Sequence, residues 1–291
     1  MARDYIGRFA PAPTGPLHFG SLVAALGSYL RARSCQGKWL VRIEDCDRLR
    51  IVPGASENIL ETLDALGLHW DGPVLYQSAR EAVYQDRIQE LLSQKLLYPC
   101  TCSRKSTREK PYPGTCRDKP VEQFPDAALR IRTNSRVIRF NDILQGTQQQ
   151  SLEAEIGDFI VNRADGFTAY HLAVVIDDAE QKISEIVRGA DLLESTPRQI
   201  FLQQVLGYPQ PAYLHLPVVI DSRGMKISKQ NHARELDMDQ ASRILVRALE
   251  FLGQKPETCL LDAKPDEVIE WGIRNWDAQH VPAVLSIKVD P

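Results

Sequence analysis

Several features that would point to membranes or to non-globular proteins are missing from the sequence. No hydrophobic run approaches the roughly 20 residues needed to cross a bilayer. The first residues, Met1–Gly7, lack the apolar centre of a secretory signal peptide. Internal repeats and low-complexity tracts are also missing. We therefore expect a globular, cytoplasmic protein with no membrane contact.

Two common nucleotide-binding motifs are missing as well, namely Gly-x-Gly-x-x-Gly and the phosphate loop that ends in Gly-Lys-Ser/Thr. The opening of the chain is instead a strand-like run (Tyr5–Ala10), a Gly/Pro-rich loop, a helical pattern from Ser21 and a strand-like run (Lys38–Glu44). This order indicates a βαβ unit and a parallel sheet. The loop before the helix could hold a phosphate through glycine backbone and His18, or it could be a plain loop capped by Ser21.

The remaining periodicity indicates an α/β protein with a helical tail. Helices are predicted at Ser56–Leu66, Ala79–Gln94 and Thr196–Leu206. Strands are predicted at Leu172–Ile176, Glu185–Val187 and Leu216–Ile220. The tail from Asp239 to Pro291 has helical patterns and no strand signal.

A stretch rich in Cys, Pro and basic residues interrupts this rhythm. Ser103–Arg139 holds ten Lys/Arg and four Asp/Glu, a net charge of +6 in a chain of net charge −3. This favours either a localised contact with a polyanion or a solvated basic loop. We predict four parts, which are a first catalytic half (1–97), an insertion (98–150), a second catalytic half (151–238) and a small helical region (239–291).

The insertion contains three of the six cysteines, Cys100, Cys102 and Cys116. Such a cluster in a cytosolic protein indicates a metal before a disulfide, and structural zinc takes four ligands. No histidine lies nearby, so the fourth ligand is an unusual group or water. Reduced surface thiols are the alternative. The other cysteines are predicted to be ordinary core or surface residues.

A second basic loop lies far downstream, where Lys226 and Lys229 flank Ser228. It could clamp a triphosphate or be an exposed basic loop. Taken with the first loop it becomes recognisable. His18-Phe19-Gly20-Ser21 resembles the HIGH signature of class I aminoacyl-tRNA synthetases, and Lys226-Ile227-Ser228-Lys229-Gln230 resembles their KMSKS signature. The resemblance implies a Rossmann-like catalytic domain that binds ATP with Mg²⁺.

Further segments resemble the glutamyl- and glutaminyl-tRNA synthetases: Arg8–Gly15, Arg42–Asp47, Tyr170–Asp178, Val187–Leu193 and Ser195–Gln199. Chemistry agrees with glutamate as substrate. Arg8 and Arg188 could each grip a carboxylate, Glu44 could bind the ammonium group and Tyr170 could supply a hydroxyl. The alternative for both arginines is structural pairing with Asp or Glu. Two departures are Ala12, where serine is usual, and His171, where asparagine is usual.

The resemblance assigns the following roles. Glutamate is bound by Arg8, Phe9, Ala10, Pro11, Ala12, Glu44, Tyr170 and Arg188. ATP is bound by His18, Gly20, Ser21 and Lys229, and the catalytic set is His18, Gly20, Lys226 and Lys229. Zinc is held structurally by Cys100, Cys102, Cys116 and, at the position of a tyrosine in similar proteins, Tyr112.

Only some fifty residues follow the KMSKS-like loop and its short extension, so we expect no anticodon-binding domain. This layout resembles the glutamyl-queuosine tRNA(Asp) synthetases, a family of truncated paralogues. The family activates L-glutamate without tRNA and transfers it to queuosine in the anticodon loop of tRNA(Asp). The alternatives are a small glutamyl-tRNA synthetase, glutamate adenylation for a non-RNA acceptor, and a non-catalytic tRNA-binding protein. A monomer is expected.

Overall fold

The computed structural model describes residues 4–103, 111–225 and 235–289. The strands are β1 (Ile6–Phe9), β2 (Lys38–Ile43), β3 (Leu75–Tyr76), β4 (Leu97–Cys100), β5 (Ala128–Ile131), β6 (Val137–Asp142), β7 (Gly146–Ser151), β8 (Phe159–Asn162), β9 (Glu185–Gly189), β10 (Ala212–Leu216), β11 (Val218–Ile220) and β12 (Ser286–Lys288). The helices are α1 (Phe19–Ser34), α2 (Ala55–Ala65), α3 (Glu81–Ser93), α4 (Leu152–Glu155), α5 (Tyr170–Glu180), α6 (Thr196–Leu206), α7 (Ala241–Phe251) and α8 (Pro265–Asn275).

Parallel strands form the centre of the molecule. Strands β1, β2 and β3 pair in parallel, and β9 pairs in parallel with β10. The two groups meet where the Ser184 N–H donates to the Ile6 carbonyl at 2.9 Å. Strand β6 joins β10 at one parallel position, Tyr213 beside Asp142, and β7 runs antiparallel to β6. The predicted α/β class with a parallel sheet is confirmed.

Helix α1 packs against this sheet because its sequence gives it an almost continuous apolar face. Leu22, Leu26 and Leu30 are fully buried there. A Cβ on Gly27 would lie 2.6 Å from a methyl of Leu216, so only glycine lets the helix approach β10 this closely. The close approach fixes the N-terminus of α1 beside the carboxyl ends of β1 and β10.

Part of the predicted insertion forms a small antiparallel sheet. Its strand order is β4, β5, β8. Cys100 ends β4, and Tyr112 meets Gly157 through an isolated parallel bridge. The division of the chain into four parts stays a prediction. Strands β6 and β7 lie within 98–150, but they share a sheet with β9 and β10.

Three secondary-structure predictions were wrong. Leu172–Ile176 is not a strand but lies in helix α5, whose buried residues run without interruption from Leu172 to Asp178. A helix covered on all sides has no polar face, so its apolar run imitates a buried strand. Leu216–Ile220 is two strands, because Pro217 lacks the N–H that a continuous ladder needs.

The third error concerns the tail, which contains the strand β12 paired in parallel with β11. Only three residues form it, too few for a periodic signal. The predicted helices at Ser56–Leu66 and Thr196–Leu206 are confirmed as α2 and α6 within one residue at each end. The part predicted from Ala79 to Gln94 is a short 3-10 helix followed by α3. Among the described residues, no helix has the length and apolar character to cross a membrane.

Candidate active site

A cleft of about 580 Å³ lies over the carboxyl ends of β1, β2, β9 and β10. In an open parallel sheet this edge is where ligands bind. Nine predicted site residues line the cleft: Phe9, Ala10, Pro11, Ala12, His18, Gly20, Ser21, Glu44 and Tyr170. The sheet thus brings together segments that are 160 residues apart. Arg8 and Arg188 are buried, and Lys226 and Lys229 lie outside the described residues.

One end of the cleft is the N-terminus of α1, which His18 caps. The His18 N–H donates to Ser21 Oγ at 2.8 Å, and Ser21 N–H donates to His18 Nδ1 at 3.3 Å. Because Nδ1 accepts, the neutral imidazole carries its proton on Nε2. No acidic residue occupies the first helical turn, so the positive end of the helix dipole is not offset by its own sequence. This end of the cleft suits an anion such as a phosphate.

The other end of the cleft rests on a buried ionic cluster. Asp178 accepts from Arg8 Nε at 3.1 Å and from Arg42 Nη1 at 2.8 Å, and Arg42 also reaches Glu44 at 3.3 Å. Burial alone would raise the pKa of Asp178, but the charges of Arg42 and Arg8 outweigh it and lower that pKa. Asp178 is therefore a carboxylate that forms a buried ion pair with Arg8, and the role of Arg8 in binding glutamate stays a prediction.

Glu44 and Tyr170 form the surface of this end. Burial raises the pKa of Glu44 in spite of the opposing charges of Arg42 and Arg8. Burial also raises the pKa of Tyr170, so its hydroxyl stays protonated and can donate. Arg188 opposes that shift, which places its positive charge near the Tyr170 hydroxyl. A cationic group arriving in the cleft would favour the anionic form of Glu44.

Arg188 differs from Arg8 in its partners. Its Nε donates to His215 Nε2 at 3.0 Å and its Nη2 donates to Thr196 Oγ1 at 2.9 Å. No carboxylate in the described ranges lies within 4.0 Å of it. Its Nη1 is buried and has no hydrogen-bond partner among the residues that the structure describes. A buried guanidinium with an unused donor is suited to a ligand carboxylate.

Several charged residues beneath the cleft were not assigned a separate role from the sequence. Asp177 is fully buried and accepts from Gln77 Nε2 at 2.7 Å, Arg80 Nε at 2.7 Å and Tyr84 OH at 2.8 Å. Arg42 is likewise fully buried. The sequence contained one signal for these residues, namely the two aspartates that directly follow the apolar run Leu172–Ile176. Charges on a buried segment need buried partners, so oppositely charged residues were to be expected around them.

The predicted metal site fits zinc. The sulfur atoms of Cys100, Cys102 and Cys116 lie within 4.8 Å of one another, and those of Cys102 and Cys116 are 3.6 Å apart. The Tyr112 hydroxyl lies 3.5 Å from Cys100 Sγ and 3.6 Å from Cys102 Sγ. Four ligands about 2.0–2.3 Å from a tetrahedral Zn²⁺ would be separated by about 3.5–3.8 Å. The spacing therefore accommodates the metal with little movement.

The electrostatics of this cluster differ between its thiols, because burial raises the pKa of Cys102 whereas the pKa of Cys116 is lowered. Burial would raise the pKa of Cys116, but hydrogen bonds from Tyr112 and the Thr101 backbone outweigh it and lower that pKa to about 6. Arg130 Nε donates to Cys100 Sγ at 3.1 Å, and its guanidinium lies 3.9 Å from the centre of the Tyr112 ring. This cation offsets the negative charge that several thiolates would bring together.

Part of the basic insertion is used inside the fold. Arg117 forms an ion pair with the buried Asp158 at 2.6 Å, and Arg132 lies over the Tyr98 ring at 4.9 Å. Arg136 and Arg139 are exposed. The charge available to an RNA from the described part of this segment is accordingly smaller than the sequence count of +6 indicates.

Comparison with known proteins defines the class. Residues 6–259 match the family described as tRNA synthetases class I (E and Q), catalytic domain, and the chain belongs to this family. A solved glutamate–tRNA synthetase from Elizabethkingia anophelis superimposes with a TM-score of 0.82 at 25% identity, over 99% of this chain and 68% of that one.

Two similar relatives refine this result. A glutamyl-Q tRNA(Asp) synthetase of Ectopseudomonas mendocina (strain ymp) is 52% identical over 284 residues, 97% of this chain and 96% of the relative. One of Dechloromonas aromatica (strain RCB) is 51% identical over 292 residues, covering 97% of each chain. The resemblance to the glutamyl-queuosine tRNA(Asp) synthetases is confirmed.

Proposed function

We propose that this protein activates L-glutamate with ATP and transfers it to queuosine in the anticodon loop of tRNA(Asp). The observation that carries the proposal is the cleft, which joins the N-terminus of α1, suited to an anion, to Glu44, suited to an ammonium group, with the buried Arg188 directly before the lining residue Gly189. Relatives of half-identical sequence and matching length, named glutamyl-Q tRNA(Asp) synthetases, support the choice of acceptor.

The first step forms glutamyl-adenylate. An α-carboxylate oxygen of glutamate attacks the α-phosphorus of ATP, and the bond to the β-phosphate oxygen breaks to release pyrophosphate. His18 and the α1 N-terminus stabilise charge on the phosphate oxygens, together with Lys226 and Lys229 of the KMSKS-like segment. Glu44 holds the ammonium group, and the Tyr170 hydroxyl orients the amino acid. Mg²⁺ accompanies ATP as part of the substrate.

Recognition of the side chain falls to Arg188. Its Nη1, which has no hydrogen-bond partner among the described residues, can donate to a carboxylate, while Nη2 already donates to Thr196 Oγ1 at 2.9 Å and lies 3.5 Å from the Leu192 carbonyl oxygen. Glutamine would offer an amide in the same place and leave one arginine donor facing an N–H₂ group. Arg8 contributes by holding Asp178, which sets the charge beneath Glu44.

The second step transfers the acyl group. A hydroxyl of the queuosine cyclopentene-diol attacks the adenylate carbonyl carbon, AMP leaves, and the hydroxyl proton passes to solvent. Zn²⁺ held by Cys100, Cys102, Cys116 and Tyr112 would pin the insertion and take no part in the chemistry. We further propose that the enzyme acts in the cytoplasm as a monomer.

Transfer of labelled glutamate to two tRNA pools tests the proposal, one pool containing queuosine and one lacking it. We expect label only in the queuosine pool, on an anticodon-loop fragment after nuclease mapping. Equal label on the 3′-terminal adenosine in both pools would instead mean a small glutamyl-tRNA synthetase. Activation without transfer to RNA would mean a non-RNA acceptor, and no pyrophosphate exchange would mean a non-catalytic protein.

A further inference from the structure

Arg188 is held by a chain of buried polar groups that the proposed chemistry does not use. Its Nε donates to His215 Nε2 at 3.0 Å, and His215 Nδ1 lies 2.6 Å from Asp142 Oδ2. His215 and Asp142 are inaccessible to solvent. We propose that Asp142 and His215 are a positioning pair for the reaction, which fixes the Arg188 guanidinium for the substrate's side-chain carboxylate. This inference rests on the proposed function.

The hydrogen bonds determine where the histidine proton lies. A guanidinium only donates, so His215 Nε2 must accept from Arg188 Nε. The neutral imidazole then carries its proton on Nδ1, where it donates to Asp142 Oδ2. The carboxylate thus selects the one tautomer that leaves Nε2 able to accept. Without the carboxylate, the imidazole proton could lie on Nε2, where it would face the Nε–H of Arg188. Two donors would then oppose each other and no hydrogen bond could form.

The charge states agree with this arrangement. Burial lowers the pKa of His215, and the Asp142 carboxylate only partly opposes this effect. Burial would raise the pKa of Asp142, but the hydrogen bonds from the His215 side chain and from the backbone of Gln145 and His215 together outweigh it and lower that pKa. The pair is therefore a neutral imidazole beside a carboxylate. The nearby Arg188 charge is one reason that His215 resists protonation.

Asp142 is itself immobilised by the turn that follows β6. Its Oδ1 accepts from the N–H groups of Leu144 at 3.1 Å, Gln145 at 2.9 Å and His215 at 3.2 Å. Three backbone donors fix the carboxylate plane and so leave Oδ2 aimed at the imidazole. The rigid turn therefore fixes the position of His215, and His215 in turn fixes the position of the arginine.

Thr196 supplies the second support of the guanidinium. Its Oγ1 accepts from Arg188 Nη2 at 2.9 Å and lies 3.2 Å from His215 Nε2 and 3.3 Å from the Leu192 carbonyl oxygen, to either of which it can donate. With Nε and Nη2 both anchored, the guanidinium plane cannot rotate, and the buried Nη1 is presented in one direction. The arrangement removes orientational freedom before substrate arrives, which strengthens binding.

The decisive variant is Asp142→Asn, because the amide has the shape of the carboxylate. Its oxygen can keep the turn hydrogen bonds, while its N–H₂ group donates to His215 Nδ1 and forces the proton to Nε2. In glutamate-dependent pyrophosphate exchange we expect the KM for glutamate to rise by about tenfold, the loss of one buried hydrogen bond. The KM for ATP should stay unchanged. The matched control is Asp64→Asn, since Asp64 faces the exposed His69 at 3.1 Å.

Thr196→Val provides a second route to the same test if Asp142→Asn does not fold. It removes the other acceptor of Arg188 with little change of volume, and the same selective rise in the glutamate KM is expected. An unchanged glutamate KM in a folded variant would overturn the positioning role, and so would equal changes in the KM values for glutamate and ATP. The proposed function would still stand in either case, provided that the wild-type protein activates glutamate. A wild-type protein that does not activate glutamate would overturn both.

Discussion

His171 offers a quantitative test of the electrostatics beside the cleft. It lies in the first turn of α5, with its ring 6.1 Å from that of Phe159 and 5.3 Å from that of Tyr170. Its Nδ1 is buried without a hydrogen-bond partner. Burial, followed by the charges of Arg198 and Arg188, lowers the pKa of His171 to about 3. A helix N-terminus adds further positive potential at this position.

The sign of the effect on stability follows from proton binding. Below the ordinary histidine pKa of 6.5 the unfolded chain binds a proton at His171 that the folded protein does not bind. The free energy of unfolding must therefore fall as the pH falls from about 6.5 towards the folded-state pKa of about 3. At pH 5 the loss from this one residue amounts to at most about 2 kcal/mol.

The assay is urea unfolding at pH 7 and pH 5 for the wild type and His171→Asn. Asparagine does not titrate and is the residue that the family resemblance leads us to expect at this position, so the fold should tolerate it. We expect the wild type to lose about 2 kcal/mol more than the variant on acidification. His215 contributes equally to both proteins and cancels. His69→Asn, at an exposed histidine, should behave as the wild type. Equal pH dependence in His171→Asn and the wild type would refute the reasoning.

Three further predictions concern the metal and the reaction. Cys100→Ser should lower the zinc content measured by atomic absorption, whereas the exposed Cys35→Ser should not; unaltered zinc in Cys100→Ser would remove the site. Lys229→Ala should strongly reduce pyrophosphate exchange without changing the melting temperature. Lys255→Ala, at an exposed lysine, should change neither the exchange rate nor the melting temperature. Full exchange in Lys229→Ala would contradict the role assigned to Lys229. Glu44→Gln should raise the glutamate KM by about 10- to 100-fold, with an unchanged KM for ATP, because a charged hydrogen bond to the ammonium is lost; a normal glutamate KM would contradict that contact.

The sequence was sufficient to predict the lining of the cleft because its residues come in short contiguous segments at strand ends. Ala10–Ala12 follow β1, Glu44 follows β2 and His18 precedes α1, so a βαβ reading alone places them at one edge of the sheet. The cluster of Cys100, Cys102 and Cys116 was likewise recognisable, since three cysteines close together in sequence are a typical pattern of a candidate metal site.

Long-range polar pairing could not be predicted in the same way. Asp142 and His215 are 73 residues apart, and neither belongs to a motif that periodicity or composition marks. Their contact depends on β6 meeting β10 at a single position. The helical state of Leu172–Ile176 was hidden for a related reason. Burial from every side erases the polar face that distinguishes a helix from a strand.

The sequence predicts two arginines as equivalent carboxylate ligands. In the structure their surroundings differ, and this difference indicates different roles. Arg8 shares Asp178 with Arg42, so its charge is already matched by a buried carboxylate and its nitrogen donors are partly occupied. Arg188 meets its balancing carboxylate, Asp142, only through the neutral ring of His215. Its charge is held in place without a direct ion pair, and one donor is left over. A free glutamate side chain can supply the missing direct partner, whereas at Arg8 it would have to compete with Asp178. We therefore propose that discrimination of glutamate from glutamine depends on Arg188 and that Arg8 serves chiefly to organise the site beneath it.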